Sequence, residues 1–207
     1  MKNPWEEIQL SDYENHMKIG SVMQLQALNG MMKNQLDLYS VKSVTILGIA
    51  GGNGLEHVDI DKIIKVYGVD INPRYLKECT ERYKNLEGVF EAVCADLTDE
   101  SILLPRSDIV IADLLIEYIG YECFKNTVVK INPVYVSSII QINTDAGFIS
   151  DSPYLHVFDC LDRVHHQIGE SELTVTMEEI GYLFINKGET ELPNGKKLVQ
   201  LDYRLDR

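Results

Sequence analysis

Three sets of residues in this chain have the type and spacing to do chemistry. The first is the run Ile46-Leu47-Gly48-Ile49-Ala50-Gly51-Gly52-Asn53-Gly54, which closes a short apolar segment. Small residues let a backbone approach a ligand closely, and a helix predicted over Leu55 to Ile64 would offer unpaired N–H groups at its start. The second set is Asp70, Asp96 and Asp113, each following an apolar run. A carboxylate can take two parallel donors, although an Asp after a strand is commonly only a helix cap or turn residue. The third set is Tyr13, His16, Glu117, Tyr118, His165 and His166. Glu117 would serve as a general base if burial raised its pKa, and otherwise is a first-turn residue favoured by the helix dipole. His165 and His166 are neighbours; on a strand they would point to opposite faces, so the pair does not predict a metal site.

Three ligand classes use a glycine-rich loop of this kind. A phosphate-binding P-loop needs Gly-Lys-Ser/Thr, which this loop lacks. A dinucleotide fold wants G-x-G-x-x-G, and the nearest frame, Gly52-Asn53-Gly54-Leu55-Glu56-His57, is without its third glycine. The third class binds an adenosyl group without a pyrophosphate, and the elements that carry the loop decide whether it applies.

The loop and the aspartates sit in an alternating pattern. Apolar strands are predicted at Val44–Ile49, Val66–Asp70, Val89–Ala95, Asp108–Asp113 and Val134–Ile142. Helices are predicted at Leu55–Ile64, from Pro73 to about Lys84, in a short piece around Ser101, and at Tyr118–Lys130. Strands separated by helices imply βαβ units and a parallel sheet. The end of the chain differs. A helix over Glu170–Ile180 is followed by strands at Tyr182–Glu191 and Lys197–Leu205, joined at Pro193-Asn194-Gly195, where Asn-Gly suits positive φ. The long connection from Thr144 to Gly169 is of a length more often functional than idle. The first forty residues read as helical, opened by Pro4 and Trp5, with Met17, Val22, Leu25, Leu28, Met31, Met32, Leu36 and Leu38 at helix spacing and Gly20 and Gly30 as interruptions.

Composition narrows the class. The chain has 207 residues, 45% hydrophobic and 25% charged, which is one domain's worth of ordinary globular sequence. A net charge of −13 argues against a nucleic-acid partner. No apolar run approaches the length of a membrane span, and the first residues do not read as a secretory leader. Cys79, Cys94, Cys123 and Cys160 form no CxxC pair; such spacing suggests free thiols and a cytoplasmic setting.

In this frame the loop resembles the first motif of class I S-adenosylmethionine-dependent methyltransferases, an acidic residue, x, then G-x-G-x-G. Ala50, Gly52 and Gly54 fall on the glycine positions, Gly51 lies among them, and Gly48 stands where the acid usually sits. The resemblance implies a seven-stranded, mostly parallel, doubly wound α/β sheet with an antiparallel C-terminal hairpin. It implies S-adenosylmethionine as cofactor and S-adenosylhomocysteine as product. It gives Asp70, with Ile71 beside it, the ribose hydroxyls, and Asp96 and the N–H of Leu97 the adenine. It sets Asp113 and Leu114 facing the reactive methyl, and leaves the work of the missing acid at Gly48 to another group. Residues 1–40 are similar to the helical cap of small-molecule methyltransferases, which makes 41–207 the core and brings Tyr13 and His16 to the cleft. Tyr118 and Glu117 would then meet the acceptor. Asp113-Leu114-Leu115-Ile116 occupies the place of the Asn-Pro-Pro-Tyr motif of nucleic-acid methylation, so the expected acceptor is a small molecule. The alternatives are a non-catalytic binding protein on the same fold, an aminopropyl-type transferase, and a nicotinamide-dependent oxidoreductase.

Overall fold

The computed structural model describes residues 3–143 and 149–206. A single sheet of seven strands runs through it: β1 (Ser43–Leu47), β2 (Lys65–Asp70), β3 (Phe90–Cys94), β4 (Ile109–Asp113), β5 (Tyr135–Ile142), β6 (Tyr182–Glu191) and β7 (Lys197–Leu205). Their order is β3-β2-β1-β4-β5-β7-β6. The first five are parallel, and β7 is antiparallel to both β5 and β6. This is the doubly wound sheet with a C-terminal hairpin that the strand pattern implied. Strand order reverses between β1 and β4, so the carboxyl ends of these strands open onto a crevice, where ligands of such sheets bind.

The helices follow the apolar spacing with instructive departures. α1 (Leu10–Lys18) and α2 (Gln24–Leu38) precede β1, after a 3₁₀ turn at Pro4–Glu6. Gly20 separates the two helices, whereas Gly30 lies inside α2 on its exposed side, a tolerable loss of about 1 kcal/mol of helix propensity. Leu38 is at the end of α2 and exposed rather than in the core. α3 (Pro73–Arg82) starts as predicted: Pro73 fills the first turn and the Arg74 N–H donates to Asn72 Oδ1 at 3.0 Å. α4 (Ile116–Ile131) is broken at Gly120, where φ is 73°. α5 (Glu170–Glu178) precedes β6.

Two expected helices are absent. The stretch after the glycine loop holds only a 3₁₀ turn at Leu55–His57. Asp59 accounts for the stop: its carboxylate accepts the Asp61 N–H at 3.1 Å and its carbonyl the Lys62 N–H at 3.0 Å, a local turn that competes with helix. Around Ser101 the Asp99 carboxylate takes both the N–H and the hydroxyl of Ser101, at 2.8 and 2.7 Å, and no helix forms. At the hairpin only Gly195 reaches positive φ; the Gly195 N–H donates to Leu192 O, so Asn194 needs no left-handed backbone. In the long connection, residues 144–148 lie outside the described residues, and the rest forms a 3₁₀ run at Leu155–Arg163.

Apolar side chains cover both faces of the sheet. Leu47, Val110, Phe124, Val128 and Met177 build one layer with α4 and α5. Met32 and Leu36 of α2 join Ile46, Val66 and Leu76 on the other. Among the described residues no helix is long and apolar enough to cross a membrane.

Candidate functional site

Two cavities open at the carboxyl ends of β1, β2, β3 and β4. The first contains about 730 Å³ of empty space, partly open to solvent, and the second about 660 Å³. Trp5, Tyr13, Leu114 and Tyr118 line both and so stand at their shared boundary.

The first cavity collects most of the residues expected to hold a cofactor: Gly48, Ala50, Asp70, Ile71, Asp96, Leu97, Asp113 and Leu114. Asp70 is buried at the end of β2 and rigidly held, with its Oδ2 accepting the Ala50 N–H at 2.9 Å and its Oδ1 the Asn72 N–H at 2.8 Å. Burial pushes its carboxyl pKa up, and the backbone donors of Asn72, Ala50 and Ile71 act against that. Each oxygen has a further lone pair for a ligand hydroxyl. Asp96 uses Oδ1 for the N–H and hydroxyl of Thr98, at 2.9 and 2.7 Å.

Asp113 is the unusual group. Its Oδ1 accepts the Gln35 amide at 2.9 Å, while Oδ2 is buried and has no partner. Burial raises its pKa to about 7; the Gln35 bond opposes this, and the negative charges of Asp202 and Glu117 add to it. The register Leu47↔Ala112 puts Asp113 beside Gly48 at the strand ends. Gly48 itself has φ +68°, and a Cβ there would lie 3.1 Å from Leu115 Cδ1. An acidic side chain at Gly48 would therefore be strained and crowded, and the carboxylates beside it at the strand ends are Asp70 on β2 and Asp113 on β4.

Gly51, Gly52 and Gly54 do not line the first cavity. A Cβ at Gly52 would meet Cys79 Sγ at 2.7 Å, and one at Gly54 would meet Met32 Cγ at 2.5 Å. These two glycines, at φ +82° and +94°, admit α3 and α2 close to the loop. The Gly51 carbonyl accepts Arg82 Nη1 at 3.0 Å, and Arg82 in turn pairs with Glu14 of α1 at 2.6 Å.

The N-terminal segment closes over this crevice through its backbone. The carbonyls of Trp5, Glu6 and Ile8 accept from Asn72, Arg74 and Tyr75. The Trp5 ring meets Tyr13 and Tyr118 edge-on, with centroids 5.6 and 4.9 Å apart.

The second cavity holds Glu117, His16, His165 and His166. Glu117 is 5% exposed. Its Oε1 accepts the Gln141 N–H at 2.8 Å, and Oε2 is buried without a partner. Burial pushes its pKa to about 7 against the pull of that N–H. His16 Nδ1 is 2.7 Å from Ser152 Oγ, and its pKa is lowered by burial and by the charge of Lys196. His165 is lowered by burial and by His166. Both histidines lie beyond the 3₁₀ run rather than on a strand, and both face the same cavity, contrary to the opposed placement expected of them.

Gln35, Gln141 and Tyr75 also belong to the site and were not among the residues expected there. Gln35 did carry a signal: it lies three and four residues after Met32 and Met31, on the apolar face of α2, where a fully buried amide needs partners. It donates to Asp113 and to Ser137 Oγ at 3.0 Å, and Ser137 donates to the buried Asp202.

No family profile and no curated protein matches this chain. Solved structures do match in fold. The N-methyltransferase NodS from Bradyrhizobium japonicum WM9, in complex with S-adenosylhomocysteine, superposes with a TM-score of 0.67 at 12% identity, covering 96% of this chain and 98% of that one. Magnesium protoporphyrin IX methyltransferase from Synechocystis PCC 6803, also with S-adenosylhomocysteine bound, gives 0.64 at 13%, covering 94% and 87%. The [4+2]-cyclase SpnF gives 0.66 at 10%, covering 91% and 84%. These likenesses show a fold shared with class I S-adenosylmethionine-dependent methyltransferases, and the cyclase shows that the fold hosts more than one chemistry.

Proposed function

Starting from the class I methyltransferase fold, we propose that the first cavity binds S-adenosylmethionine and that the protein transfers its methyl group to a small molecule held in the second. One observation carries this reading. The first cavity is lined by three carboxylates, Asp70, Asp96 and Asp113, and by no lysine or arginine among the described residues. Such a lining repels a pyrophosphate and so weighs against a nicotinamide dinucleotide. It suits a donor that brings hydroxyls and positive charge. The bound donor supplies an electrophilic methyl on a sulfonium.

The residues divide the work by position. Asp70, pinned by two backbone donors, presents its remaining lone pairs to a vicinal diol. Asp96 and the Leu97 backbone take an exocyclic amine and a ring nitrogen, with Ile71, Leu115 and Ile119 as apolar faces. Asp113 Oδ2 receives the ammonium of the amino-acid end, the task of the acid absent at Gly48. A cation there satisfies a buried oxygen that the fold leaves unpaired. Trp5, Tyr13 and Tyr118 hold the two ligands in line and exclude water.

The cap runs over residues 1–40 in this reading, but its parts differ. The segment through α1 rests on α3 by backbone contacts, whereas α2 packs Met32 and Leu36 into the core. We assign the closing role to the part before Gly20.

Thermal unfolding tests the donor assignment. At a hundredfold excess over Kd a ligand adds about 2.7 kcal/mol, which for a domain of this size is a rise of about 5–10 °C. Both S-adenosylmethionine and S-adenosylhomocysteine should produce it and NADH should not. A rise with NADH alone would overturn the assignment.

A further inference from the structure

Resting on the methyl-transfer reading, we infer that the second cavity takes a neutral aromatic acceptor bearing an ionisable hydroxyl, a phenol, and that Glu117 is the base that receives its proton. The lining points to a flat ring. Trp5, Tyr118, Phe158 and His165 bring aromatic surface to the cavity, with Trp5–Tyr118 and Tyr118–His165 as edge-on pairs, a surround that favours an aromatic guest. Leu161 and Ile168 complete an apolar wall.

Charge selects among flat molecules. No lysine or arginine lines the cavity among the described residues, and a buried carboxylate does, so a carboxylate or phosphate on the acceptor meets repulsion. A cationic amine is disfavoured as well, since burial and the charge of Lys196 together lower the proton affinity of His16 and His165 in the lining. A neutral molecule with one strong donor remains. Glu117 Oε2 is the buried, unpartnered acceptor that such a donor satisfies.

The step balances. The O–H bond of the acceptor breaks and its proton goes to Glu117 Oε2. An oxygen lone pair forms the O–CH₃ bond. The C–S bond of the donor breaks with its electron pair staying on sulfur, which cancels the sulfonium charge. Glu117 ends the step neutral and returns its proton to solvent after the ether leaves. Oε1 stays fixed on the Gln141 N–H, so the free oxygen keeps one orientation throughout.

The groups that face Glu117 set its pH response. Asp113 on β4 and Tyr118 and Tyr121 on α4 couple to it. The His166 N–H donates to its main-chain carbonyl at 2.6 Å, and His16 and His165 share the cavity. Both shifted histidines are lowered and stay neutral as pH rises through 7, so ionisation of Glu117 dominates above that point.

The test is calorimetric titration of the full chain with phenol, anisole, benzoate and benzylammonium, with and without saturating S-adenosylhomocysteine. At pH 8 phenol should bind at least about tenfold tighter than the other three, the effect of one hydrogen bond to a charged group. The phenol-to-anisole ratio should shrink at pH 6, where Glu117 is protonated. Glu117→Gln keeps the bond to Gln141 but turns an amide donor to the cavity; it should abolish the phenol preference and leave S-adenosylhomocysteine affinity within about twofold. Should that variant not fold, the pH series on the natural chain reads the same group. Equal binding of phenol and anisole, preference for benzoate or benzylammonium, or no binding of any probe overturns the inference. Failure of S-adenosylhomocysteine to bind strikes the donor reading instead, and the probe ranking without it still judges this one.

Discussion

Asp113 and Glu117 each leave one buried oxygen unpaired, and that shared feature governs how the site responds to pH. An acid whose folded pKa lies near 7, above an unfolded value near 4, makes the folded state bind more protons. Stability from these two groups is therefore full below pH 4 and falls as pH rises through 7. His16 and His165 act in the opposite sense over the same range, so the clean readout is a difference between variants. Asp113→Asn should raise the melting temperature of the ligand-free protein at pH 8 and make little difference at pH 5; a gain equal at both pH values would contradict the assignment. The same reasoning explains Gly48. Placing at Gly48 the acid usual in class I methyltransferases, Gly48→Asp, should not improve donor binding. It places a side chain at φ +68° and against Leu115, and should cost about 1–3 kcal/mol of stability in chemical denaturation. A variant of normal stability with tighter donor binding would show the position is open after all.

Among the elements, the segment before Gly20 is held to α3 by three main-chain carbonyls and by the Glu14–Arg82 ion pair, polar contacts suited to opening. Removing residues 1–20 should leave a cooperative unfolding transition and speed donor release by about tenfold or more, read by stopped-flow fluorescence. Removing 1–40 also takes Met32, Leu36 and Gln35 from the core and should abolish cooperative folding; a folded 41–207 fragment would contradict that division. Gly120 is a second element-scale feature. Its φ of 73° detaches the first turn of α4, which carries Glu117, from the rest, and His166 covers the break at 3.6 Å from where a Cβ would stand. The sequence made the strands legible because buried parallel strands are short apolar runs. It misled after Gly54, where Leu55, Val58 and Ile63 have helix-like spacing but Asp59 and Gly54 close turns instead. The Asn29 amide donates to Glu56 at 2.7 Å, so α2 covers the ground that the missing helix would.

For the whole molecule, topology and charge act together. The switch in strand order creates one crevice, and the aspartates at successive strand ends make that crevice acidic. Those aspartates were readable in the sequence because each follows an apolar run. Which of them lacked a partner was not readable, since that depends on Gln35 reaching Asp113 from a helix far away in sequence. The second cavity was least legible: Glu117, His16 and Phe158 meet there only through the fold. In the proposed site the acidic crevice holds a cationic adenosyl donor through Asp113. Calorimetric titration with S-adenosylmethionine at pH 6 and pH 8, on the natural chain and on Asp113→Asn, should then give saturable binding that tightens as pH rises through about 7 in the natural chain, with a weaker and pH-independent affinity in the variant. Binding that is absent, or equally tight and equally pH-dependent in both proteins, would contradict it.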